Sequence, residues 1–96
     1  MAITQSQIDA YLAYLLADLH ASHPTSTTTF SANAGGKKFL KVTSNTSAHT
    51  FIVLEDDGKF KAGDILKAAS WSAPAKNFAR GNVITGDFRS IRWAGA

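Results

Sequence analysis

Apolar positions in residues 4–20 recur at helical spacing. Ile8, Leu12, Leu15, Leu16 and Leu19 stand three and four residues apart with Tyr11 beside them, which predicts an amphipathic helix. Thr4, followed three residues later by Gln7, has the form of a capping box. Asp9 lies near the start, where it suits the helix dipole; His20 falls in the last turn, and Pro24 forbids continuation. This helix is expected to cover one face of a sheet, although the same stripe would also serve as a seam between two copies of the chain.

Beyond the helix the pattern shortens to that of strands. Thr27-Thr28-Thr29-Phe30 opens a β-branched and aromatic stretch, and Asn33-Ala34-Gly35-Gly36 reads as a hairpin turn. The first hairpin is therefore placed at about 27–33 and 37–43. Its cations Lys37, Lys38 and Lys41 would also discourage edge-to-edge pairing. A polar turn at 44–47 leads to the continuous apolar run Thr50-Phe51-Ile52-Val53-Leu54, within a strand at about 49–54. A run covered on both faces belongs in the middle of a sheet. Asp57-Gly58 marks a turn, and a strand returns at about 64–68, with a helix over 64–70 as the competing reading. Residues 70–82 fit no regular period, apart from a possible helical turn over 75–79. Val83-Ile84 is read as a brief strand, and Ile91 and Trp93 alternate with Arg92 in a terminal strand at about 90–93. The expectation is an α+β fold in which one N-terminal amphipathic helix packs on a small antiparallel sheet of four to five strands. Residues 1–96 form one domain.

Composition sharpens this picture. A chain that is 45% hydrophobic and 18% charged is globular rather than disordered. The sequence has no cysteine, which excludes a disulfide scaffold, a thiolate metal site and a thiol nucleophile. No apolar run reaches the roughly 20 residues of a membrane span, and the first residues lack the character of a secretory signal. The expected setting is the cytoplasm, with no membrane partner.

Charge is unevenly distributed. Residues 1–36 carry only Asp9 and Asp18, a net of −2, whereas residues 37–96 carry all ten Lys and Arg against five acids, a net of +5. The cationic segment invites an anionic partner, with a solvated basic surface as the plainer alternative. Within it, Trp71 offers a stacking face, Lys67, Lys76 and Arg80 can approach phosphates, and Ser70, Asn77 and Asn82 can position polar edges. Core packing for Trp71, and an ion pair of Arg80 with Asp64 or Asp87, are the structural alternatives.

Catalytic chemistry finds little support. There is no phosphate-binding glycine loop and no nucleophile elbow. His20 and His23 straddle the end of the helix with no acid beside them to complete a metal set. His49 is a candidate ligand contact or a locally bonded strand residue. Asp56-Asp57 reads as a turn before it reads as a cation site. The chain is expected to be a binding protein, not an enzyme, and to need no cofactor.

The segments Ser47-Ala48-His49-Thr50-Phe51-Ile52, Gly63-Asp64-Ile65-Leu66-Lys67-Ala68-Ala69-Ser70-Trp71, Pro74-Ala75-Lys76 and Arg80-Gly81-Asn82 resemble a small family of tailed-phage proteins. The resemblance spans roughly the second half of the chain, and its Ala-Ser-Trp-x-x-Pro-Ala-Lys centre is its most specific part. The loop over 55–62 is longer here than in that pattern. What the resemblance implies is a phage origin and a shared surface rather than a reaction. The function expected is that of a small phage accessory or counter-defence protein in the infected bacterial cytoplasm, binding nucleic acid or a signalling nucleotide. The alternative is an inhibitor of a host defence or metabolic enzyme that works by protein–protein contact. Assembly through the helix is a further possibility.

Overall fold

The computed structural model describes residues 3–34, 38–44, 47–56, 58–71, 73–76 and 78–93. Helix α1 (Gln5–Ser22) is followed by strands β1 (Phe30–Ala34), β2 (Phe39–Ser44), β3 (Ser47–Val53), β4 (Asp64–Lys67) and β5 (Gly81–Asn82). The strands pair in sequence order as a five-stranded antiparallel meander. The fold is α+β. None of the helices is long and apolar enough to cross a membrane among the described residues.

The capping box starts α1. Thr4 Oγ1 accepts the Gln7 N–H at 3.2 Å, and Gln7 Oε1 accepts the Thr4 N–H at 2.9 Å, so two donors at the helix start are satisfied. Asp9 lies beyond the first turn and takes a hydrogen bond from the Gln5 amide instead of serving the dipole. The His23 N–H closes the other end on the Leu19 carbonyl, and Pro24 follows. The inward stripe is Tyr11, Leu15 and Leu19, all buried, while Leu16 points outward at 36% exposure. The helix is thus rotated toward Tyr11 relative to the leucine-centred stripe of the sequence reading.

Cross-strand partners share a face, so register sorts the sheet into two cores. Leu40, Val42, Ile52 and Ile65 face α1 and pack with Tyr11, Leu15, Val83 and Ile91. Phe51, Val53 and Leu66 face the other way and pack with Phe60, Phe39, Ala68 and Ala79. Among the described residues this second face is covered by loops, not by a helix. Strand β3 lies in the middle of the meander, and its residues from His49 to Val53 are all buried.

The strand expected at 27–33 begins only at Phe30, and β2 begins at Phe39 rather than at 37. Lys37, the glycines of the 33–36 turn, the centre of the 44–47 turn and Asp57 lie outside the described residues. Residues 64–67 form a strand whose residues 65–67 pair with β3, so the competing helix is not formed. No helical turn occurs at 75–79 among the described residues.

Two expectations near the C-terminus are corrected. Pairing with β4 is made by Gly81 and Asn82 rather than by Val83 and Ile84. Asn82 Oδ1 accepts the N–H groups of Ile84 at 2.7 Å and Thr85 at 3.2 Å, which turns the chain immediately after β5. Residues 90–93 form no strand of the sheet, and only Arg92 makes an isolated bridge. Side chains bind their backbone groups: the Tyr14 hydroxyl is shared between the carbonyls of Ile91 (2.7 Å) and Phe88 (3.1 Å), and Asp18 Oδ2 accepts the Trp93 N–H at 2.9 Å. Ile91 is fully buried, so its apolar character serves the helix-side core.

Candidate functional site

Segment 68–80 leaves β4 and folds back on it. The N–H groups of Ala69 and Ser70 both reach the Ala73 carbonyl, Ala75 N–H reaches the Lys67 carbonyl at 2.7 Å, and Ala68 bridges to Pro74. This narrow loop holds Ser70 and Trp71 at its tip, in water. The Trp71 side chain is 53% exposed, so packing in the core does not account for it.

The loop meets β2 through two reciprocal contacts. Phe39 and Lys41 are two residues apart and share the sheet face away from α1. Lys41 Nζ lies 4.0 Å from the centre of the Trp71 ring, while Lys76 Nζ from the loop lies 5.4 Å from the centre of the Phe39 ring. Each cation rests on the negative face of an aromatic ring. Phe39 is in turn held edge-on by Phe51. Lys59 adds a third ammonium, with Nζ 3.4 Å from the Lys76 carbonyl oxygen. Among the described residues neither Lys41 nor Lys76 has a carboxylate partner. Their charge is therefore available to an anion, beside an indole with exposed surface.

Arg80 is placed differently. Its guanidinium stacks 4.0 Å over Phe78, which is 54% exposed. Arg80 Nε is buried and has no hydrogen-bond partner among the described residues. The carboxylates weighed as its partners are engaged elsewhere: Asp64 accepts from Lys61 N–H and the Asn82 amide, and Asp87 pairs with Arg89. Trp71 and Arg80 thus carry separate cation–aromatic contacts on one loop segment.

The remaining candidates divide. Ser70 is exposed at the loop tip beside Trp71. Lys67 is exposed but stands opposite Thr50 in register, on the helix-bearing face and away from Lys41. Asn77 lies outside the described residues. Asn82 is structural, since its Oδ1 takes two backbone N–H groups and its Nδ2 donates to the Ala62 carbonyl and Asp64 Oδ1.

His49 is structural too. The β2–β3 register shifts between Val42, opposite Thr50, and Thr43, opposite Ala48, leaving His49 as the extra residue of a bulge. The bulge sends the imidazole into the helix-side core, edge-on to Phe30, with Nε2 2.8 Å from the Arg92 carbonyl and Nδ1 3.1 Å from Thr50 Oγ1. Burial pushes its pKa down, against the pull of the backbone acceptor. A side chain so enclosed cannot touch a ligand on the Trp71 surface.

Sequence reasoning missed Phe39, Lys41 and Phe78. The alternation Phe39-Leu40-Lys41-Val42 put Phe39 and Lys41 on one face, but nothing in it showed that segment 68–80 would return there. Among the described residues no group of three or more acidic or histidine side chains is placed to hold a metal ion, and Asp56 serves the loop by accepting the Ala62 N–H.

Comparison with curated proteins and with solved structures gives no match. Residues 2–96 match a family of unknown function, DUF7717, and the chain belongs to that family.

Proposed function

We propose that this chain is a small phage accessory or counter-defence protein that binds a phosphate-rich ligand, nucleic acid or a signalling nucleotide, through the Lys41–Trp71–Lys76 surface. One observation carries the reading: an indole that is 53% exposed has an ammonium 4.0 Å from its ring. A base stacking on the indole and a phosphate on the nearby cations would use both at once. Stacking of this kind is typically worth about 1–3 kcal/mol per base. The resemblance of segments 47–52, 63–71, 74–76 and 80–82 to tailed-phage proteins is what suggests a phage origin, and with it the infected host's cytoplasm. The reading requires no catalytic group and no cofactor.

The test is a fluorescence-anisotropy titration with labelled oligothymidylates of increasing length, against a mononucleotide, at low and moderate salt. Should Lys41 and Lys76 each neutralise one phosphate of a single strand, log K falls against log salt with a slope of about −1.4. Affinity that grows with length identifies nucleic acid; tight, length-independent binding of the mononucleotide identifies a nucleotide. Failure of both to bind sinks the proposal.

A second reading draws on Phe78, 54% exposed, beside the stacked Arg80. Exposed aromatics and arginine are the usual anchors of protein interfaces, which suits an inhibitor of a host enzyme. That reading predicts capture of one host protein that survives nuclease treatment and is lost in Phe78→Ala.

A further inference from the structure

A cleft of about 420 Å³ opens on the helix side of the molecule, lined by Tyr14, Gly86, Phe88, Arg89 and Arg92. It involves none of the residues of the Trp71 surface. It is shallow and largely open to solvent, so it suits one small ring with its anionic group held at the rim. We propose that this cleft binds a small planar-ringed anion, an aryl phosphate or aryl carboxylate, with the ring against Tyr14 and Phe88 and the anionic group between Arg89 and Arg92.

The aromatic wall is fixed. Tyr14 and Phe88 have ring centres 5.0 Å apart, and Phe88 is backed by Tyr11 at 5.2 Å. The Tyr14 hydroxyl is held by the carbonyls of Ile91 and Phe88, so its ring is positioned before any ligand arrives. A flat apolar group entering here meets π-faces and edges already in place.

The two guanidiniums are oriented but not used up. Arg89 commits Nε to Asp87 Oδ1 at 3.1 Å, and its terminal nitrogens make no hydrogen bond among the described residues. Arg92 lies 3.6 Å from Asp18 Oδ1, an ion pair rather than a hydrogen bond, and Asp18 spends its other oxygen on the Trp93 N–H. The Arg89 and Arg92 side chains are 91% and 70% exposed. Each retains paired N–H donors in the fork geometry that matches a phosphate or a carboxylate. Because each arginine has a carboxylate beside it, local charge is balanced. Bulk anion attraction is therefore weak, and recognition has to combine the ring with the anion.

The proposal is tested by titrating the protein with phenyl phosphate and with benzoate while recording backbone amide NMR shifts. Phenol and inorganic phosphate serve as the two half-ligands. The expected result is saturable movement of the Gly86, Phe88 and Arg89 amides by at least one of the ring-bearing anions, with each half-ligand weaker by about tenfold or more, as loss of one charge-assisted contact or one stacked ring implies. Whichever binds more tightly identifies phosphate or carboxylate as the anionic group. Arg89→Gln combined with Arg92→Gln removes the binding, and Trp71→Ala leaves it unchanged. Absence of saturable shifts at the cleft, shifts confined to the amides of Lys41 and Trp71, equal affinity for inorganic phosphate alone, or undiminished binding in a folded double variant would each overturn it.

Discussion

The Tyr11 hydroxyl lies 2.6 Å from Thr50 Oγ1, and both side chains are completely buried. This contact joins the middle of α1 to the central strand. It continues through Thr50 to His49 Nδ1 and from His49 Nε2 to the Arg92 carbonyl. The direction of the chain follows from its last member. A carbonyl can only accept, so Nε2 carries the imidazole proton, Nδ1 accepts from Thr50, and Thr50 accepts from Tyr11. One line of polar groups therefore fastens helix, sheet and C-terminal turn, and every member is satisfied.

Removing the middle of this line should cost more than its single hydroxyl. Thr50→Val leaves both the Tyr11 hydroxyl and His49 Nδ1 without a partner in a dry site. Each orphaned group costs about 1–3 kcal/mol. Tyr11→Phe orphans nothing that Thr50 cannot redirect, so it is expected to be milder. Urea denaturation of the two variants and their combination would show a coupling energy. Strict additivity would mean the contact carries no weight.

His49 predicts a pH dependence. Burial lowers its pKa below the ordinary 6.5, so the unfolded chain takes up a proton before the folded one does. Stability is then full above the unfolded pKa and falls as pH drops through and below 6.5, by up to about 1.4 kcal/mol per pH unit, until the folded pKa is reached. Asp56 and Asp87 act in a separate, more acidic window. The Ala62 N–H and the Arg89 guanidinium respectively hold their carboxyls below the usual range. Thermal midpoints between pH 7.5 and 5 should decline in the parent chain and decline less steeply in His49→Asn. Parallel slopes would be evidence against the assignment.

Two glycines separate space from conformation. A Cβ at Gly81 would collide with the Asp87 carbonyl oxygen and crowd the Ile91 side chain, so Gly81→Ala is expected to cost at least about 1–3 kcal/mol through displaced backbone. Gly58 has φ of 55° with open space around it, and Gly58→Ala should cost only the left-handed penalty of about 1–2 kcal/mol. Denaturant midpoints of the pair decide it: an unaffected Gly81→Ala protein would contradict the close β5 packing.

The exposed loop predicts uncoupling of stability from binding. Trp71→Ala and Lys41→Ala remove one surface cation–π contact and should each change stability by less than about 1 kcal/mol, while weakening oligonucleotide or nucleotide binding. Arg80→Met keeps the packing over Phe78 and removes the orphaned Nε, so it should be at least as stable as the parent. Differential scanning fluorimetry beside the anisotropy titration reads both. Loss of the folded state in Trp71→Ala would make the loop a structural element.

The sequence alone was enough for elements whose signal is local. Thr4 and Gln7 announced the start of α1 because a capping box is made within one turn. The run from Thr50 to Val53 announced a strand covered on both faces, because burial on both sides leaves no alternation to read. The α+β class followed from those two periods and the turns between them.

What only the tertiary structure decided depends on partners far apart in sequence. A one-residue bulge sent His49 inward, which no property of the surrounding residues reveals. Side chains of Tyr14 and Asp18 hold the backbone of Phe88, Ile91 and Trp93, and Asn82 braces a turn. The exposure of Trp71 and its pairing with Lys41 arose because a loop tied to the end of β4 returns across the face of β2. Short-range capping and periodicity are encoded in adjacent residues; the direction in which a polar side chain finally points is settled by whichever distant group satisfies it when the core closes.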